Sequence, residues 1–363
     1  MQVGIVGLPY VGKTTVFNAL TGAGAETGGF SAKKSANVAA VKVPDERVWL
    51  LGEKVFKSPK ITPVTIEYLD FVGISRGSVE RGELDRALLG QLRDVDEIVH
   101  VVRAFRDESV PHVEGSVDPV RDIESLELEL ILADAQVVEN RLSTLRKEIQ
   151  AKKDPALERE RDLLERCREA LENEVPLREL EFSPEEERIS RGFGFLTRKP
   201  MLIVLNIGED QLEEAEELMG EIERFTSRPG CAAIPICAKL EEEIAQLEED
   251  EAEEFLREMG LGESALNRMI KASYELLDLI TFFTGNERET RAWTARRGTT
   301  AVKAAGMIHS DMERGFIRAE VINWRDLLEC GSYSKARQEG KLRIEGKDYV
   351  VQDGDVLLIR FNV

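Results

Sequence analysis

The sequence predicts an α/β fold: a doubly wound, mostly parallel sheet carrying a phosphate-binding loop, interrupted by a helical coiled-coil arm and followed by a small β-grasp domain. Three observations carry this. Short apolar, β-branched runs recur at 3–6, 38–43, 64–69, 98–103, 201–205 and 233–236, with helical or loop-like segments between most of them. The first run feeds directly into the spacing G-x-x-x-x-G-K-T from Gly7 to Thr14. After residue 279 the pattern changes to closely spaced strand-like runs around one helical stretch, the rhythm of a separate and smaller domain.

The loop after the first run reads Gly7-Leu8-Pro9-Tyr10-Val11-Gly12-Lys13-Thr14-Thr15. Its small residues let backbone N–H groups turn onto phosphate oxygens, Lys13 reaches the β- and γ-phosphates, and the Thr14 hydroxyl suits magnesium. A helix is expected from Thr14, with Val16, Phe17 and Leu20 on one face. The run 64–69 ends in Asp70-Phe71-Val72-Gly73, a D-x-x-G about 55 residues beyond the loop. Asp70 is expected to hold magnesium through water and the Gly73 N–H to meet the γ-phosphate. Ile74 follows, where many GTPases carry a glutamine that orients the attacking water.

In the long insertion after the fourth run, Ile123, Leu126, Leu130, Ala133 and Val137 keep a 3-4-3-4 spacing. Lys152-Lys153-Asp154-Pro155 breaks that helix, and Leu164, Cys167 and Leu171 resume the spacing in a second. Stripes this narrow pair with each other as an antiparallel coiled coil, serving equally well as a solvated structural arm or as a lever or partner-docking arm. After the fifth run stands Asn206-Ile207-Gly208-Glu209, where GTPases carry N-K-x-D. The lysine over the base is missing and the guanine-reading aspartate is a longer glutamate, so the expected base pocket is relaxed or adenine-preferring. Cys237-Ala238-Lys239 takes the place of the S-A-K loop that backs the base. Contiguous acids at 241–254 read as a solvated face. His100, inside an apolar run, is expected to be a buried, hydrogen-bonded core residue. The final domain is expected to have strands near 280–284, 290–294, 317–322, 349–352 and 356–361, a helix near Thr300–Ile308, and a turn at Asp353-Gly354. The domain boundaries follow: 1–121 with 196–279 for the nucleotide-binding domain, 122–195 for the arm, and 280–363 for the β-grasp domain.

The chain has 363 residues and a formal net charge of −20, which disfavours broad, unspecific nucleic-acid binding. From residue 290 onward, however, 13 Lys/Arg stand against 10 Asp/Glu, so any RNA contact is expected there. Arg296, Arg297, Lys303, Arg314 and Arg318 interleave with Trp293 and Phe316 as candidates for phosphate contact and base stacking. Cys167, Cys231, Cys237 and Cys330 have no paired metal spacing and read as reduced thiols. With neither a long apolar run nor a basic leader, the expectation is a soluble, cytoplasmic chain without a membrane partner.

Beyond the phosphate loop, Val43-Pro44-Asp45-Glu46-Arg47, His100-Val101-Val102-Arg103, His112-Val113-Glu114-Gly115, Asp118-Pro119-Val120-Arg121-Asp122-Ile123, Leu196-Thr197-Arg198-Lys199-Pro200, Arg291-Ala292-Trp293-Thr294 and Ala305-Gly306-Met307-Ile308-His309-Ser310-Asp311 occur in order. So do Gly315-Phe316-Ile317-Arg318-Ala319-Glu320-Val321 and the closing Phe361-Asn362-Val363. The sequence resembles the YchF family of Obg-related P-loop proteins, the Obg-like ATPases, over nearly its whole length. The resemblance implies a G-domain with an inserted coiled-coil arm, a C-terminal TGS domain, magnesium-dependent hydrolysis with ATP preferred over GTP, and association with ribosomes through rRNA or ribosomal protein. It also implies a hydrophobic residue in place of the switch glutamine, matched by Ile74, and a loop histidine that helps position water, matched by His112. A loop histidine without chemistry is the competing reading of His112.

Three departures bear on turnover. Tyr10 replaces the asparagine of the family's G-L-P-N-V-G-K, which weakens the expectation of potassium stimulation. The first switch, Phe30-Ser31-Ala32-Lys33-Lys34-Ser35-Ala36-Asn37, offers no threonine in register, leaving Ser31, Ser35 or no residue of the segment to reach magnesium. The glycine-rich signature after the second switch is thinned to 74–83. Slow hydrolysis is therefore expected, with a non-hydrolysing, nucleotide-sensing module that docks on the ribosome or RNA as the alternative.

Overall fold

A computed structural model describes residues 1–22, 37–79, 81, 86–152, 154–259 and 261–362. The chain forms two compact units: Met1–Val41 with Glu67–Ala272, and Lys42–Ile66 with Ser273–Val363.

The first unit is built on β1 (Gln2–Val6), β2 (Asn37–Lys42), β4 (Thr65–Asp70), β5 (Glu97–Arg103), β6 (Met201–Asn206) and β7 (Cys231–Ile236), in the spatial order β2-β4-β1-β5-β6-β7. The neighbours from β4 to β7 pair in parallel. β5 and β6 are buried along their whole length, as expected of central strands covered on both faces, which is why they read as unbroken apolar runs. From β1 the chain passes to β4 on one side and later to β5 on the other. The crevice outside the carboxyl ends of β1 and β5 is thus a topological switch point, where such sheets take their ligands. His100 on β5 is buried beside Val6 and Ile203 in register, but neither ring nitrogen has a hydrogen-bond partner among the described residues; burial lowers its pKa to about 3 and keeps it neutral.

The arm is a helical hairpin. Its first helix, Pro119–Ala151, is capped by the Asp118 carboxylate on the Arg121 N–H; the second, Pro155–Glu172, is capped by Asp154 on Ala156 N–H. Both start with proline at the first turn, where its missing N–H costs nothing. Leu142, Leu145, Leu164, Cys167 and Leu171 form a core of their own between the two helices. The acids at 241–254 are not uniformly solvated. Glu241 is buried and accepts from the N–H groups of Ala265 and Leu266, so it caps the helix Ala265–Leu276.

The second unit carries β3 (Lys60–Thr62), β8 (Leu279–Gly285), β9 (Glu289–Arg296), β10 (Phe316–Asn323), β11 (Arg343–Glu345) and β12 (Asp355–Phe361), ordered β11-β10-β12-β8-β9-β3. β12 pairs in parallel with β8 and antiparallel with β10, the arrangement of a β-grasp sheet. The helix Ala301–Ile308 presses Ala301, Ala304 and Ala305 onto Phe282, Ala319 and Val321 on one face. On the other, Val48 and Leu51 from residues 42–66 pack with Phe283, Ile322, Leu327 and Val356. Residues 42–66 therefore complete this unit's core and add β3 as a parallel edge beside β9, although in sequence they run from the end of β2 to the start of β4. The strand expected at 349–352 is reduced to one bridge between Val350 and Thr300; β11 takes its place against β10. Among the described residues, no helix is long and apolar enough to cross a membrane, and the four cysteines are free.

Phe316 is a core residue, and Trp293 is stacked between Phe282 and the Arg291 guanidinium, so these rings do not form the stacking platform expected from sequence. Of the interleaved cations, Arg297, Lys303, Arg314 and Arg318 pair with Asp278, Glu313, Asp311 and Glu320.

Candidate functional site: a phosphate loop and its base-side clamp

The turn after β1 needs glycine at two points. Gly7 has φ +154°, and a Cβ there would lie 2.3 Å from the Val101 carbonyl oxygen. Gly12 has φ +93°, and a Cβ there would lie 2.3 Å from Asn206 Nδ2. Between them Tyr10 adopts a left-handed φ of 65° and exposes its ring. The helix Lys13–Thr21 begins at once, so its first N–H groups face the loop interior.

Lys13 is buried, and its Nζ donates to the Leu8 carbonyl oxygen at 2.7 Å. Burial lowers its pKa to about 8, against the opposing pull of Asp70. This is a desolvated cation bonded to one backbone carbonyl of the loop, and polyphosphate oxygens would satisfy it. Thr14 Oγ1 donates to Asp70 Oδ2 at 3.1 Å, while Asp70 Oδ1 is buried with no close hydrogen bond among the described residues, the Asn37 side chain being its neighbouring donor. Burial pushes the Asp70 carboxyl upward, opposed by Thr14 and Lys13. A hydroxyl beside a buried carboxylate is an all-oxygen donor set, which fits magnesium. Ser31 and Ser35, the other candidates for that ion, lie outside the described residues.

Gly73 lies against the phosphate loop so closely that a Cβ would come within 2.8 Å of the Pro9 nitrogen. The Ile74 N–H donates to the Gly7 carbonyl oxygen at 3.0 Å, and the Ile74 side chain is buried in the main core. On the base side, Asn206 is a clamp: Nδ2 donates to the Val11 carbonyl oxygen at 2.9 Å, and Oδ1 accepts from the Ala238 N–H at 3.1 Å. One buried amide thus ties together the phosphate loop, the end of β6 and the loop after β7. Ile207 is buried in the core beneath. Glu209 and Lys239, both exposed, pair with each other at 2.9 Å. Burial pushes the Cys237 thiol up, as expected for a packing residue rather than a nucleophile.

These contacts bring the phosphate loop, Asp70, Gly73, Asn206, Glu209 and 237–239 together. His112 is engaged elsewhere. Its Nδ1 accepts from the Glu114 N–H at 3.1 Å, so Nε2 carries the proton and donates to Asp122 Oδ2 at 3.0 Å. The other Asp122 oxygen accepts two bonds from Arg121. Sequence reading also missed a set of buried acids on the first arm helix. Glu127 pairs with Arg178 and Arg228, and Asp134 accepts from the N–H groups of Leu196 and Thr197. Their signal was acids at 127 and 134, each four residues beyond an apolar stripe position.

Residues 2–141 match the family model described as "50S ribosome-binding GTPase", and residues 279–362 match the YchF GTPase C-terminal model, described as "Protein of unknown function (DUF933)". The chain is 46% identical to the "Ribosome-binding ATPase YchF" of Bacillus subtilis over 367 residues, covering 100% of both chains. It is 40% identical to the protein of that name from Haemophilus influenzae over 361 residues, covering 99% of both. The chain belongs to the YchF family. Among solved structures, the Schizosaccharomyces pombe YchF GTPase is similar, with a TM-score of 0.82 and 32% identity, over 99% of this chain and 97% of that one. The YchF fold therefore extends over both units, and the phosphate loop and base-side clamp sit in a chain matched from end to end.

Proposed function

We propose that this YchF-family chain is a magnesium-dependent, ATP-preferring nucleotide switch that hydrolyses slowly and docks on the ribosome in the cytoplasm. The observation that carries the reading is the clamp: Asn206 couples the phosphate loop to a base side where Glu209 is tied to Lys239 instead of presenting an aspartate to guanine. Gly7–Thr15 would grip the phosphates, Gly73 would meet the terminal one, and Thr14 with Asp70 would hold magnesium. The metal would neutralise charge between the β- and γ-phosphate oxygens. Ile207, Glu209, Cys237, Ala238 and Lys239 would bound the base. His112 would position water only after leaving Asp122.

That engagement of His112 favours the second reading, a nucleotide sensor without turnover. Magnesium-dependent phosphate release and fluorescent-nucleotide affinity, each with ATP and GTP and with Lys13→Ala as control, separate the readings. Turnover with ATP that vanishes in the control supports the enzyme; tight binding without turnover supports the sensor; stronger GTP binding overturns the ATP preference.

The ribosome assignment rests on the names of the relatives and on local charge. In the second unit, Lys54, Lys57 and Arg288 have no acidic partner among the described residues and line a groove of about 1180 Å³ beside Phe56 and Tyr333. Cations beside rings suit an RNA strand. The triple variant Lys54→Glu, Lys57→Glu, Arg288→Glu is expected to weaken ribosome co-sedimentation and flatten its salt dependence.

A further inference from the structure

Glu129 lies on the first arm helix, buried, with no nucleotide-binding residue beside it in sequence. Its Oε1 accepts from the Gly77 N–H at 2.5 Å and its Oε2 from the Val79 N–H at 2.9 Å. Both donors belong to the loop that follows Asp70-Phe71-Val72-Gly73. The same loop contributes the Ile74 and Val79 side chains to the core formed by Ile123, Leu126 and Leu130 of the arm helix. At its other end it abuts the phosphate loop through Gly73 against Pro9 and the Ile74 N–H on the Gly7 carbonyl. Residues 73–79 are therefore held at one end by the phosphate loop and at the other by a carboxylate of the arm.

We infer that Glu129 is a positioning residue that joins the arm to the second switch, so that nucleotide at the phosphate loop and displacement of the arm bias one another. This rests on the nucleotide-switch reading above. The physical reason is the cost of separation. A buried carboxylate accepting two backbone N–H groups cannot lose them without leaving charge and donors unsatisfied. Rotation of the helix must carry the loop with it, and a loop drawn toward a terminal phosphate must pull on the helix. Coupling of this kind is reciprocal: whatever load on the arm favours one loop position changes nucleotide affinity by the same factor that nucleotide changes the load. Glu127 and Asp134, on either side, tie the same helix to Arg178 and Arg228 and to the chain returning to β6. The helix root is thereby made stiff enough to transmit.

The test is hydrogen exchange on the full-length chain, with and without magnesium and a non-hydrolysable ATP analogue, for wild type, Glu129→Ala and Glu129→Gln. In wild type the analogue is expected to change exchange both at 74–79 and in the arm helix beyond residue 130. In Glu129→Ala the amides of Gly77 and Val79 are expected to exchange on the order of tenfold faster or more, and the arm's response to the analogue to disappear. Analogue affinity should change only by the factor that the lost coupling supplied, because Glu129 itself touches none of the binding residues, and Glu129→Gln should fall between. Where turnover is measurable, kcat should fall with KM unchanged. An arm that responds equally in wild type and Glu129→Ala, or in neither, overturns the inference. If Glu129→Ala does not fold, Glu129→Gln keeps the volume and decides. Failure of the analogue to bind wild type would sink the nucleotide reading instead, and the exchange of Gly77 and Val79 without nucleotide would still test the clamp.

Discussion

Lys13 is the residue whose environment makes the sharpest claim. Its folded-state pKa lies at about 8, below the ordinary 10.5, because burial strips its hydration. For a cation with a depressed pKa, the unfolded chain binds more protons between those two values, so the free protein gains stability as pH rises from about 8 toward 10.5. That gain is lost as pH falls from 10.5 to about 8. Nucleotide phosphates would restore the charge. ATP binding above pH 8 is therefore expected to take up a proton and to weaken as pH rises, an effect visible by titration calorimetry in two buffers of different ionisation enthalpy and absent in Lys13→Met. Gly12 makes a second claim. A Cβ would collide with Asn206 Nδ2 and sit at an unfavourable φ, so Gly12→Ala should open the clamp. Fluorescent-ATP affinity is expected to fall by about tenfold or more, the equivalent of roughly 1–3 kcal/mol of backbone strain. Both roles were legible as motif positions. The partner of Gly12 was not, because Asn206 stands far away in sequence and only the sheet brings it under the loop.

The elements followed periodicity closely wherever one physical demand dominated. Of the first unit's strands, β5 and β6 fall on the predicted runs because central parallel strands are apolar throughout, whereas β2 lies at the sheet edge and is largely exposed. The arm helices begin at Asp118 and Asp154, since a carboxylate followed by proline satisfies the first turn and fixes its φ. Their shared core predicts that Leu164→Ala will leave a cavity and destabilise the arm by about 2–5 kcal/mol. ATP affinity should stay unchanged; local hydrogen exchange and denaturant unfolding check both halves. What periodicity could not supply was the role of acids that interrupt a stripe. Glu127, Glu129 and Asp134 look like ordinary polar positions, and only the neighbours packed on the helix turn them into anchors. Lys60-Ile61-Thr62 went unread for a related reason. A three-residue edge strand carries too little alternation to register.

At the scale of the whole molecule, the second unit takes residues 42–66 from between β2 and β4 and uses Val48, Leu51 and Ile61 against its own sheet. A fragment ending at Ala272 is thus expected to leave those side chains without their core, to bind a hydrophobic dye and to aggregate on gel filtration. A fragment of 273–363 alone should unfold at lower denaturant than the same residues in the full chain. The boundary at 280, drawn where strand rhythm changes, marks the shift in local pattern, whereas the contacts also recruit a distant segment. By itself the sequence determined the α/β class, the glycine-bracketed phosphate loop, the acid at the end of β4, the helical arm and the family, because each is written in local spacing that physics permits few structures to satisfy. The tertiary structure decided which carboxylates are buried, which cations are already paired, that His112 rests on Asp122, and that Glu129 reaches Gly77 and Val79. Those depend on desolvation and on which partners the packing supplies, from Asp122, ten residues beyond His112, to Gly77, 52 residues before Glu129, and spacing along the chain does not specify either.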